Sequence, residues 1–216
     1  MEIRKSTVNN TRKKMPVEER AKQFMPFSAL KGLDEALREQ LAQSGELARY
    51  DYHPLLEKCH LENAQKLQHI LNVHGFPTLQ NSDPQVVEAC WLVIQHAISQ
   101  PAFMKACLSQ MQQLPDTIFP RKYQAYLSDR IAFYQRRPQR YGTQFDYDDN
   151  GHMAIWQLED PLQVDAWRQS VGLPPLSAVY ERLKTYAPIS KEAASAHQKQ
   201  MLDWLVRTGW YQVEDT

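Results

Sequence analysis

From His53 to His74 the apolar side chains Leu56, Cys59, Ala64, Leu67, Ile70 and Leu71 return every three to four positions, the spacing of one helical face. Pro54 suits the first turn of such a helix, and Gly75 suits the left-handed residue that stops it. The next run, "PQVVEACWLVIQHAIS" from Pro84, is apolar on most sides, so it is expected to be the central buried helix. Ser82 or Asp83 can cap it, with Gln85 three after Ser82 as in a capping box. Pro101 starts a third helix that ends near Gln113, and Pro120 opens a fourth, "RKYQAYLSDRIAFYQRR".

The pattern then changes. "YGTQFDY" and "HMAIWQL" alternate around Asp148-Asp149-Asn150-Gly151, and Asn-Gly between alternating stretches signals a hairpin, here spanning about 141–158. Beyond Asp160-Pro161 the chain returns to helix through "VDAWRQSVGLPPLSAVYERLKTY". A last amphipathic helix runs from about Lys191 to Arg207 and stops at Gly209. At the other end, residues 1–15 have no periodicity, Met25-Pro26-Phe27 interrupts any helix, and Ser28 to Gln43 can be helical. The expected fold is mainly α: a single helical domain with one small β-hairpin and a flexible basic N-terminal arm. The expected divisions are an arm over 1–45, a helical domain with the hairpin over 46–188, and the amphipathic helix over 189–216.

Charge refines the picture of the arm. Lys plus Arg and Asp plus Glu number 25 each, so no global charge draws the chain to nucleic acid or membrane. Residues 1–32, however, hold Arg4, Lys5, Arg12, Lys13, Lys14, Arg20, Lys22 and Lys31 against Glu2, Glu18 and Glu19. Any contact to nucleic acid is therefore expected through the arm alone. Cys59, Cys90 and Cys107 stand far apart in apolar contexts, which argues against a disulfide framework and suits a reducing compartment. No apolar run approaches the ~20 residues of a membrane span, and the first residues lack the apolar core of a secretory signal. Cytoplasmic location is the expectation.

Candidate chemistry rests on a few polar residues. His96 lies within the most apolar helix, where an imidazole is either a satisfied core residue or a general acid or base. His74, just before Gly75, can cap the last helical carbonyls. Asp129 can orient a histidine or pair with an arginine. Arg130 follows the spacing of Tyr123, Tyr126 or Leu127, and Tyr134, which turns it inward to meet a carboxylate of the protein or of a ligand. Arg136, Arg137 and Arg140 form a basic knot, read either as a solvated helix end or as a phosphate or carboxylate contact. His53, His60, His69, His152 and His197 read as surface or loop residues. No HExxH, HxH, paired-Cys, P-loop, dinucleotide or GxSxG pattern occurs, so no metal ligands are assigned, no cofactor is expected and hydride transfer is disfavoured.

In order along the chain stand "HGFPT" (His74 to Thr78), "QHA" (Gln95 to Ala97), "DR" (Asp129 and Arg130), "YGTQ" (Tyr141 to Gln144) and "RQSVGLPPL" (Arg168 to Leu176). This series, over roughly 50–182, resembles a bacterial family that is known only as a domain of unknown function, one that usually has Trp where Phe76 stands. The resemblance implies that His74, His96, Asp129, Arg130, Tyr141 and Gln144 share one pocket. A second stretch, "RAKQFMPFSALKG" at residues 20–32, resembles the opening motif of YolD-like proteins, small bacterial proteins associated with damage-tolerance polymerases. The β-rich segment that follows in those proteins is missing here.

Two functions are consistent with these residues. One is an enzyme, a hydrolase or transferase on an anionic small molecule. His96 would move the proton, Asp129 or Gln95 would orient it, Arg130 would hold the anion, and Tyr141 and Gln144 would donate to developing negative charge. Its catalytic residues would be His96, Asp129 and Tyr141, and its ligand-binding residues His74, Gln95, Arg130 and Gln144. The other is a ligand-binding or adaptor protein that docks on a protein partner through Phe24 to Phe27.

Overall fold

The computed structural model describes residues 54–211. The N-terminal arm, the helix expected over Ser28 to Gln43, the Phe24 to Phe27 segment and His53 lie outside the described residues. Among the described residues the chain is mainly helical, with one two-stranded antiparallel hairpin. Its elements are α1 (Pro54–His74), α2 (Pro84–His96), α3 (Pro101–Gln112), α4 (Arg121–Tyr134), β1 (Phe145–Tyr147), β2 (Met153–Ile155), α5 (Val164–Ser170), α6 (Leu176–Leu183) and α7 (Lys191–Arg207).

Proline and glycine set several boundaries, as the sequence indicates. Pro84 and Pro101 open α2 and α3, and Gly75 ends α1 at φ +79° with its N–H donating to the Leu71 carbonyl. Two expectations are corrected. The capping box before α2 does not form: Asp83 is the N-cap without a side-chain bond, and the Ser82 hydroxyl donates to Asn81 instead. The helical stretch after Pro161 is two short helices. Gly172 at φ +75° turns the chain, and Pro174 and Pro175 supply no amide proton to continue α5 into α6.

The main core gathers α1 to α4 with the end of α7. Leu67, Val87, Cys90, Ile94, Met104, Met111, Phe119, Leu127 and Leu205 are buried in it, and Trp210 closes it by donating from its indole nitrogen to the Ile98 carbonyl. Helix α2 contributes Val87, Cys90, Val93 and Ile94 and is central as expected. A second, smaller core joins Val164 of α5 to Leu176, Val179 and Leu183 of α6.

The hairpin lies between the two. Phe145 pairs with Ile155 and Tyr147 with Met153, so these four side chains share one face. Phe145, Met153, Ile155 and Leu158 pack on the small core. The opposite face carries Gln144, Asp146 and Trp156, and the Trp156 ring meets Phe133 of α4 edge-on at 5.3 Å. The open end is spliced by Gln139, fully buried. Its amide donates to the carbonyls of Gln144 (2.7 Å) and Trp156 (3.0 Å) and accepts from the Gln144 N–H (2.8 Å). At the turn, Asp148 accepts from the N–H groups of Asn150 and His152, and Gly151 takes φ +82°.

Candidate functional site

The polar residues of this fold converge where α2, α4 and the hairpin meet. The last carbonyls of a helix lack partners within it. At the end of α2 the Gln95 carbonyl accepts from Arg130 Nη1 at 2.7 Å. Arg130 stands on α4, and its Nε donates to Gln144 Oε1 at 3.3 Å. One guanidinium thus ties two helices to the hairpin. The Gln95 side chain is buried, and its Nε2 has no hydrogen-bond partner among the described residues.

His96 follows directly. Its Nδ1 lies 2.8 Å from the Leu92 carbonyl. A carbonyl only accepts, so Nδ1 carries the proton and the neutral ring has its lone pair on Nε2. The ring is half-buried, and that of His60 lies 5.0 Å away.

Asp129, beside Arg130, faces elsewhere. It is 1% exposed and accepts from the N–H groups of Arg140 (3.0 Å), Tyr141 (3.1 Å) and Thr143 (3.0 Å) and from the Thr143 hydroxyl (3.0 Å). Burial pushes its carboxyl above the ordinary range, and these donors pull it back. Asp129 therefore shapes the Tyr141-Gly142-Thr143-Gln144 segment that brings Gln144 to Arg130. Tyr141 takes part through its backbone. His74 is exposed at the end of α1.

Gln144 and Asp146, two apart, point to the same side of β1. Asp146 Oδ1 lies 2.6 Å from His197 Nε2 of α7, with both side chains 10% exposed. The Tyr134 hydroxyl is pushed up by burial, pulled back by the charge of Arg130 and pushed up again by Asp146, which sets it within the fields of both. The basic knot is drawn onto indoles: the Arg136 guanidinium lies 4.2 Å from the Trp156 ring centre and that of Arg140 4.6 Å from that of Trp167, with Arg140 also paired to Glu159.

Geometry thus joins Gln95, Arg130 and Gln144 directly, with His96 next in chain to Gln95. It places Asp129 on α4 facing the adjoining loop, Tyr141 in that loop and His74 at a helix end. Sequence reading missed three participants: His60, His197 and Gln139. His60 and His197 are buried, not surface residues. A signal existed for both. His60 stands at helical spacing with Leu56, Ala64 and Leu67, and His197 with Ala194, Met201 and Leu205, so each rides the apolar face of its helix.

Among the described residues no group of three or more His, Cys, Asp or Glu could hold a metal ion, and no helix is long and apolar enough to cross a membrane. No curated protein and no solved structure matches the chain. A family model does match, over residues 24–189, which is more than half of the sequence: the chain belongs to the Family of unknown function (DUF6624).

Proposed function

We propose that this member of a family of unknown function is a hydrolase or group transferase acting on an anionic small molecule. Arg130 anchors the negative charge and His96 carries the proton through Nε2. The supporting observation is the end of α2, where consecutive residues supply both parts. The Gln95 carbonyl orients Arg130 at 2.7 Å, and the Leu92 carbonyl fixes the His96 tautomer at 2.8 Å. A general base needs a defined lone pair, and an anion anchor needs an oriented guanidinium. The Gln95 Nε2 is buried and has no hydrogen-bond acceptor among the described residues.

In this reading Asp129 is a positioning residue. It holds the loop that presents Gln144, and Gln144 holds Arg130. The Asp146–His197 pair fastens α7 to the hairpin. Docking through Phe24 to Phe27, the alternative reading, concerns residues outside the described range.

The test is thermal unfolding of wild type, Arg130→Gln and His96→Gln against phosphorylated and carboxylated metabolites, followed by a turnover assay on any hit. A ligand at ~100 times its dissociation constant stabilises by about 2.7 kcal/mol. The expected result is a hit on wild type and His96→Gln, its loss in a folded Arg130→Gln, and turnover by wild type alone. A ligand bound equally by all three and never turned over would overturn the proposal and favour a binding protein.

A further inference from the structure

On the side of the Tyr141–Gln144 segment that faces the small core, a cleft of about 110 Å³ opens between α4, α5 and α6. Its walls are Tyr126, Thr143, Arg168, Pro174, Val179 and Arg182, with Ala178 beside them. The Arg168 residue is 3% exposed. Its Nε donates to the Pro174 carbonyl at 2.6 Å, and its Nη1 to the carbonyls of Tyr141 at 2.5 Å and Gly142 at 3.4 Å. Its Nη2 makes no hydrogen bond among the described residues.

A buried guanidinium gains from a nearby anion, and the carboxylates whose charge reaches Arg168, those of Asp165 and Asp129, form no ion pair with it and are hydrogen-bonded elsewhere. Asp129 is held by four donors of the neighbouring loop, and Asp165 accepts from the Leu176 N–H at 2.6 Å. Neither Arg168 nor Arg182 forms an ion pair among the described residues. Burial holds the Arg168 pKa below the usual arginine value; the charges of Asp165 and Asp129 pull it back, and that of Arg182 adds a smaller push downward. Both arginines line the opening and, among the described residues, no carboxylate-bearing one does, which favours an anion inside it.

We propose that this cleft is a binding site for a small oxyanion of the phosphate class, held by Arg168 at its base and Arg182 at its rim. Its volume is room for several water molecules. That accommodates a phosphate group and leaves whatever bears the phosphate in solvent. Tyr126 and Thr143 line the walls, with the Thr143 hydroxyl already given to Asp129. The proposal is independent of the reading at Arg130, which lies on the other side of the loop.

Inorganic phosphate is the probe, titrated at constant ionic strength into wild type, Arg182→Gln and Arg168→Lys while thermal unfolding is followed. Acetate serves as a monoanionic comparison. Wild type is expected to show a rise of about 3–6 °C at ten times the dissociation constant, growing with the logarithm of phosphate concentration beyond it. Arg182→Gln, a change at an exposed position, should unfold as wild type does without phosphate and bind it at least tenfold more weakly. A second rim variant, Arg182→Lys, keeps the charge and should recover part of the affinity, so the comparison stands even where Arg168→Lys fails to fold. No wild-type shift, one of equal size in Arg182→Gln, or one matched by acetate at the same concentration would each overturn the proposal.

Discussion

A carboxylate buried as deeply as Asp129 must be surrounded by donors, and the donors it has are mostly backbone. Its removal therefore strands several partners at once. Asp129→Ala leaves three N–H groups and a hydroxyl without an acceptor, and the expected loss is about 3–5 kcal/mol. Asp129→Asn keeps one acceptor oxygen but turns an amide towards donors, for about 2–3 kcal/mol. Urea unfolding checks both; a loss within ~0.5 kcal/mol in the Asn variant, typical of a surface change, would mean that Asp129 does not organise the loop. The cysteines give a second prediction at this scale. Burial pushes the Cys107 thiol up to about 12 and raises that of Cys90, aided there by Cys107. Neither forms a thiolate at pH 8, whereas Cys59 is half-buried. Alkylation of the native protein should label Cys59 first and reach Cys90 and Cys107 only on unfolding. Fast labelling of all three would contradict the packing of α2 against α3.

At the scale of elements, the hairpin is the piece most tightly specified. A Cβ built on Gly151 would stand 2.0 Å from the Ile189 carbonyl oxygen, and the Gly151 carbonyl accepts from the Ile189 N–H at 2.9 Å. Glycine is required there twice, for φ +82° and for this approach. Gly151→Ala should cost more than the ~1 kcal/mol of an ordinary left-handed position. It should also detach the start of α7, visible as faster amide exchange at Ile189. Unchanged exchange with an unchanged melting point would remove Gly151 from that role. Local signals made much of this level legible: period, proline and the Asn-Gly turn located the helices of the described range and the hairpin. What escaped was decided by distant partners. Ser82 prefers Asn81 to its helix, and Gln139 looks like loop yet is fully buried because the hairpin's open end needs its amide. Arg130 was legible as inward, but not that the α2 carbonyl would receive it.

For the whole molecule, the two cores differ in what sustains them. The small core buries four apolar side chains, worth about 1.5–3 kcal/mol each. Against this, ordering each residue of its two helices and loops costs about 1–2 kcal/mol of backbone entropy. It cannot stand alone. It is linked to the main core through the hairpin and through a polar chain from Asp129 to the loop carbonyls and on to Arg168. Such a region opens before the rest. Amides of α5 and α6 should accordingly exchange through a sub-global opening, while those of α2 exchange only on global unfolding. Leu176→Ala, which empties a buried site beside Gly142, should cost about 2–5 kcal/mol at that site. If the cores are separately cooperative, that loss lowers protection in α5 and α6 far more than in α2. Hydrogen exchange resolved by peptide measures this directly. An equal loss in both regions would mean that the hairpin welds the two cores into one unit, so that strain at the Arg168 cleft would be transmitted to the Arg130 site across the loop they share.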